Sequence, residues 1–205
     1  MKKLNESEKK VFRNVCKELY HSLKELQSVK KAVSIFGSAR YNKDLPYYNQ
    51  ILEISETLSA SGYDIITGGG GGIMEKANEG AKHTESIGLS IDLPQEQDTN
   101  KFVSKEVIFK YFAIRKMMFI KYSKAFIVCP GGYGTLDEAF EILTLVQTGC
   151  VKPIPIIFVN REYWSGCMEW LKNTVVADGL LTKKELSLIR LADTPDEVLS
   201  EIRKG

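Results

Sequence analysis

AFIVCPGGYGTLDEAFEILTLVQ, residues 125–147, carries the reading of this chain. A short apolar run, Ala125 to Cys129, breaks at Pro130 and a glycine-rich turn, and an apolar pattern at helical spacing follows from Leu136 to Gln147. A strand delivered through glycines into a helix is the unit of a parallel sheet. The same unit stands upstream, with a strand Tyr63–Thr67, five glycines at 68–72 and a helix Ile73–Lys82. Further strands are predicted at Ala32–Phe36, Ile87–Leu93, Lys105–Phe109 and Ile154–Val159, and further helices at Tyr47–Ala60, Phe112–Tyr122 and Tyr163–Val176. The expected fold is therefore α/β: one domain with a doubly wound, Rossmann-like, mostly parallel sheet and helices on both faces. Residues 1–30 hold an amphipathic helix near Ser7–Val29, with Val11, Phe12, Val15, Leu19, Leu23 and Leu26 on its stripe, read as part of the same domain. Residues 31–205 form the expected nucleotide-binding part. Near the C-terminus, Thr182-x-x-Glu185 and Thr194-x-x-Glu197 have the spacing of helix capping boxes, the second with Pro195 at the first helical position.

Composition removes several classes of function. The 205 residues are 43% hydrophobic and 26% charged, ordinary for a globular domain. Lys and Arg number 28 against 26 Asp and Glu, too balanced for a nucleic-acid binder, and the excess sits in residues 1–31. No apolar run approaches the ~18 residues of a bilayer span, and no apolar stretch follows the basic N-terminus, so neither a membrane nor a secretory role is expected. Four scattered cysteines without a C-x-x-C suit a reducing cytoplasm. With only His21 and His83, neither a histidine metal centre nor a Ser-His-Asp triad is supported, and Gly88-x-Ser90-x-Asp92 lacks the second glycine of a nucleophile elbow.

In a sheet of this kind ligands bind at the carboxyl ends of strands, where the strand order reverses. The turn Gly68–Gly72 has neither the Lys-Ser/Thr of a P-loop nor G-x-G-x-x-G spacing, since Ile73 stands where the last glycine belongs. Five consecutive glycines before a helix nonetheless suit close approach to an anion, which makes Gly70, Gly71 and Gly72 candidate phosphate or sugar contacts. At the second turn Thr135 reads as an N-cap and Glu138 as its capping-box partner. On that reading Asp137 and Glu138 lie in the first turn, where the helix dipole keeps carboxylates ionised.

The segment Pro130-Gly131-Gly132-Tyr133-Gly134-Thr135-x-x-Glu138, preceded by Arg115-Lys116, resembles the signature of the LOG family of cytokinin-activating nucleoside 5′-monophosphate phosphoribohydrolases. The likeness runs from Phe36-Gly37-Ser38-Ala39-Arg40 through the Gly68 turn to Gln147-Thr148-Gly149, and more weakly through Arg161-Glu162-Tyr163-Trp164. One departure is Gly71, where many bacterial relatives carry proline, which implies a looser loop. The resemblance implies Arg115 and Glu138 as catalytic residues. It implies Gly37, Ser38, Glu96, Lys116, Gly131, Gly132, Tyr133, Gly134, Thr135, Asp137 and Thr144 as substrate contacts. It further implies a nucleoside 5′-monophosphate substrate, cleaved to free base and ribose 5-phosphate with no metal or cofactor, in a homodimer or larger homo-oligomer. The alternative is a nucleotide or molybdenum-cofactor carrier on the same fold. Lysine decarboxylation, a label often attached to such chains, is disfavoured because nothing marks a Schiff-base lysine.

Overall fold

A computed structural model describes residues 4–40, 47–92 and 98–204. Strands β1 (Ala32–Phe36), β2 (Asp64–Thr67), β3 (Ser86–Ile91), β4 (Lys105–Phe109), β5 (Ser123–Val128), β6 (Ile156–Val159) and β7 (Ile189–Ala192) form one sheet in the order β4-β3-β2-β1-β5-β6-β7. Every neighbouring pair is parallel. β7 has no counterpart in the sequence reading. It is an edge strand, largely half-buried and interrupted by Arg190, so it lacks the apolar run that marked the others.

Strand residues alternate between two cores. Val33, Ile35, Ala125, Ile127, Ile157 and Val159 face helices α2 (Tyr47–Ala60), α3 (Ile73–Gly80) and α8 (Pro195–Arg203). Phe36, Phe126, Val128, Ile156 and Phe158 face α1 (Glu6–Glu25), α4 (Phe112–Tyr122), α5 (Tyr133–Gln147) and α6 (Arg161–Trp170). A π-helical turn, Leu171–Val176, continues α6, and α7 (Lys183–Leu186) begins on a capping box formed by Thr182 and Glu185. Central strands buried on both faces read as near-continuous apolar runs, which is why they were readable; in β1 the run is broken by Ser34, whose buried hydroxyl pairs with that of Ser123 (2.6 Å).

The first helix uses only part of its apolar stripe. Val15, Leu19 and Leu23 pack on the core, while Val11 and Phe12 are 51% and 61% exposed. Glu18 of α1 accepts hydrogen bonds from the backbone N–H groups of Lys110 (2.9 Å) and Tyr111 (3.1 Å), so α1 caps the start of α4.

The sheet order reverses direction between β1 and β5, because β1 leads outward through β2, β3 and β4 while β5 leads outward through β6 and β7. The turns after β1 and β5 therefore diverge and leave a crevice between them.

Candidate active site

Three turns are stitched together at this crevice. The Ser38 N–H donates to the Pro130 carbonyl (3.1 Å), and the Ile73 N–H donates to the Ser38 carbonyl (2.9 Å). Gly72 has φ +64°, and a Cβ there would lie 2.4 Å from the Ser38 oxygen, so only glycine lets the β2 turn close on the β1 turn. At Gly131 the constraint is space: a Cβ would meet the Thr135 hydroxyl at 2.1 Å and the Ser38 nitrogen at 3.1 Å. Tyr163, at the start of α6, completes the frame. Its hydroxyl donates to the Gly131 carbonyl (2.7 Å) and accepts from the Gly131 N–H (3.2 Å).

These turns border a cleft of about 770 Å³. Gly37, Ser38, Gly131, Gly132, Tyr133, Gly134, Thr135, Asp137, Glu138 and Arg115 all line it, and so do Gly68, Tyr47, Phe112 and Tyr163. The structure thus brings most of the expected residues together. Gly70, Gly71 and Gly72 lie outside its lining: the Gly69 and Gly70 carbonyls accept from the Asn100 side chain, and Gly72 abuts Ser38. Lys116 and Thr144 border a neighbouring depression on α5 with Asp137, Phe140, Glu141 and Leu145. Glu96 lies outside the described residues.

The expected capping box at Thr135–Glu138 does not form. α5 begins at Tyr133 with Gly132 in extended conformation as its N-cap, one turn earlier than the Thr-x-x-Glu spacing suggested. Thr135 is consequently an interior residue, 5% exposed and packed against Gly131. Asp137 and Glu138 fall beyond the first turn, where the dipole contributes little. The expectation that the dipole holds Glu138 ionised is corrected accordingly. Burial pushes its carboxyl from 4.5 up to about 7, Lys116 and Arg115 pull it back down, and Asp137 and Glu141 add to the rise.

Arg115 reaches the cleft from α4. Its Nε donates to the Leu89 carbonyl at the end of β3 (2.8 Å), and its guanidinium carbon lies 5.3 Å from the centre of the Phe119 ring, one helical turn on. Gly68 backs it so closely that a Cβ would lie 2.5 Å from Nη2. Burial lowers the Arg115 pKa and Glu138 opposes that shift, so the two groups sense each other across the cleft. An arginine remains cationic in such a site. The cleft therefore offers a fixed cation, a carboxyl that titrates near neutrality, and a helix N-terminus whose first N–H groups have no intrahelical acceptor. Among the described residues no group of three or more His, Cys, Asp or Glu could hold a metal. No described helix is long and apolar enough to cross a membrane.

Tyr163 and Gly68 were not named as site residues from the sequence, although both stand in segments that carry the resemblance: Gly68 opens the five-glycine turn after β2, and Tyr163, within Arg161–Trp164, lies in the first turn of α6 just past β6.

A family model described as "Possible lysine decarboxylase" matches residues 71–202. The chain is 26% identical over 190 residues to a protein of Oryza sativa subsp. japonica named probable cytokinin riboside 5′-monophosphate phosphoribohydrolase LOGL2, covering 87% of this chain and 75% of that one. It is 28% identical over 185 residues to the Arabidopsis thaliana protein named cytokinin riboside 5′-monophosphate phosphoribohydrolase LOG1, covering 87% and 85% of the two chains. Among solved structures, the molybdenum cofactor binding protein of Rippkaea orientalis matches with a TM-score of 0.60 at 20% identity over 85% of this chain and 96% of that one, a likeness of fold. With the family model matched over more than half of its length, and with the signature turn opening α5 at the cleft, the chain belongs to the LOG family.

Proposed function

We propose that this protein hydrolyses the N-glycosidic bond of nucleoside 5′-monophosphates, of the AMP or cytokinin riboside monophosphate type, to free base and ribose 5-phosphate. The observation that carries the reading is the meeting of Arg115 and Glu138 in one cleft, at a carboxyl whose burial lifts it to about 7. The names of the relatives support it.

The chemistry follows from the charges. Cleavage of the C1′–N bond leaves its electron pair on the base and positive charge on the ribose ring, as in other glycosidic cleavages. Ionised Glu138 stabilises that charge and accepts a proton from the attacking water, whose oxygen bonds to C1′. The departing base takes up a proton, so the products are base and ribose 5-phosphate. A base with a pKa near 7 is suited to this step. Arg115 stays charged and is assigned to positioning and charge stabilisation. The free N–H groups at the start of α5 take the 5′-phosphate.

We assign the protein to the cytoplasm as a homodimer or larger. Met117, 50% exposed on α4 and outside the cleft lining, supports self-association, and light scattering that finds a fully active monomer refutes it. The central experiment incubates purified protein with AMP and separates the products by chromatography. Adenine and ribose 5-phosphate in equal amounts support the reading, as does a kcat/KM for AMP far above that for adenosine. Binding of nucleotide or molybdenum cofactor without turnover supports the carrier alternative instead.

A further inference from the structure

Lys116 directly follows Arg115 on α4, and Asp137 directly precedes Glu138 on α5. Lys116 Nζ lies 2.8 Å from Asp137 Oδ2 and 2.5 Å from Glu141 Oε2, and the lysine side chain is only 14% exposed. The two helices that present the candidate catalytic pair are thus joined by charge immediately beside that pair. We propose that Glu141 is a positioning residue: through Lys116 it locks α4 to α5, holding Arg115 and Glu138 in register and balancing the charge around Glu138. This inference rests on the reading of Arg115 and Glu138 as the catalytic pair.

The geometry favours Glu141 as the principal anchor. Its side chain is 35% exposed against 59% for Asp137, and its contact with Lys116 is the shorter of the two. A shielded ion pair is less screened by water, and removing one partner strands the other charge. Burial alone depresses the Lys116 pKa, but its bonds to Asp137 and Glu141 outweigh this and hold it firmly cationic. The charged groups that act on Glu138 are Lys116 and Arg115 from α4 and Asp137 and Glu141 from α5, while Arg40 lines the same cleft from the turn after β1. The two cations favour ionised Glu138 and the two carboxylates oppose it. Glu141→Gln removes an opposing charge and leaves Lys116 in place, so Glu138 should ionise at lower pH. Lys116→Met removes a favouring charge, so Glu138 should ionise at higher pH.

The test follows the Glu138 carboxyl by ¹³C NMR in glutamate-labelled protein, with its resonance assigned by loss in Glu138→Gln, alongside the pH profile of kcat/KM on AMP. Opposite displacements are expected: the midpoint moves down in Glu141→Gln and up in Lys116→Met, each by about half a pH unit or more. Both variants should lose about tenfold or more in kcat with a smaller change in KM. The double variant Lys116→Glu/Glu141→Lys rebuilds the bridge with reversed polarity and should turn over faster than either single change. Lys116→Gln replaces the methionine variant if that fails to fold. Midpoints that stay put or move in the same direction overturn the inference, as does a double variant no better than the singles. The NMR midpoints are read without turnover, so failure of the wild type to cleave AMP counts against the proposed function and is distinguishable from failure of the bridge.

Discussion

Glu138→Gln separates a carboxyl that serves chemistry from one that serves folding. In the wild type the folded-state pKa of Glu138 is raised by burial from 4.5 to about 7. A raised carboxyl contributes stability in full below its unfolded value near 4.5, and that contribution is lost as pH rises through about 7. At ~1.4 kcal/mol per pKa unit the full loss is about 3 kcal/mol, and solvent at the cleft mouth reduces it to on the order of 2 kcal/mol. Glutamine keeps the shape and does not titrate. Its melting temperature should therefore draw ahead of the wild type as pH rises from 5 to 8, by about 4–8 °C for a chain of this size. At pH 8, where wild-type Glu138 is ionised, its kcat/KM on AMP should lie at least ~100-fold below wild type, the scale of one preorganised electrostatic group, and the gap should narrow toward pH 5. The wild-type kcat/KM should itself rise with pH to a plateau above about 7, because the ionised form does the work. The assays are differential scanning calorimetry at several pH values and initial rates by product chromatography. Glu185→Gln is the control, since Thr182 and Glu185 form a true capping box away from the cleft, and it should leave activity intact. A Glu138→Gln protein that retains activity, or whose melting temperature keeps a constant offset from wild type between pH 5 and 8, refutes the reasoning.

Other substitutions probe the frame. Arg115→Lys keeps the charge but not the planar fork that reaches Leu89 and the cleft, and kcat/KM on AMP should drop about 100-fold or more; near-normal steady-state rates exclude Arg115 from the chemistry. Gly68→Ala places a methyl 2.5 Å from Arg115 Nη2 and 2.8 Å from Met74 Sδ, so it should lower kcat by displacing the guanidinium. Combined with Arg115→Lys it should cost little more, and a fully additive loss in that double-mutant cycle shows that Gly68 acts elsewhere. Glu18→Ala removes the cap that α1 supplies to α4 and should cost about 1–2 kcal/mol in urea denaturation, with an unchanged transition midpoint excluding that role.

Much of this molecule is local in origin and was legible from the chain. The central strands announce themselves because both faces are buried, and the glycine turns because close backbone approach excludes side chains. The Thr182–Glu185 box formed where the spacing placed it. The Thr194 hydroxyl caps α8 as expected, but the Glu197 carboxylate accepts from the Asp193 N–H and pairs with Arg161 instead of closing its box. Thr135-x-x-Glu138 has the same local pattern and a different fate. Ser38, in the turn after β1 about ninety residues before, and Tyr163, in the first turn of α6 about thirty residues after, hold Pro130 and Gly131, and α5 starts at Tyr133. No spacing rule contains those partners. β7 escaped because an edge strand needs no continuous apolar run, and the open half of the α1 stripe because period alone does not say what covers it.

Sequence alone determined the strand–turn–helix alternation and the identity of the signature residues, since propensity, glycine content and apolar period act over a few residues. Tertiary structure decided that β1 and β5 lie side by side, that Arg115 and Glu138 share a cleft, and that Lys116 pairs with Glu141 beside them. It also decided the charge state of Glu138, because desolvation and Coulomb interaction depend on distance in space and not on distance along the chain.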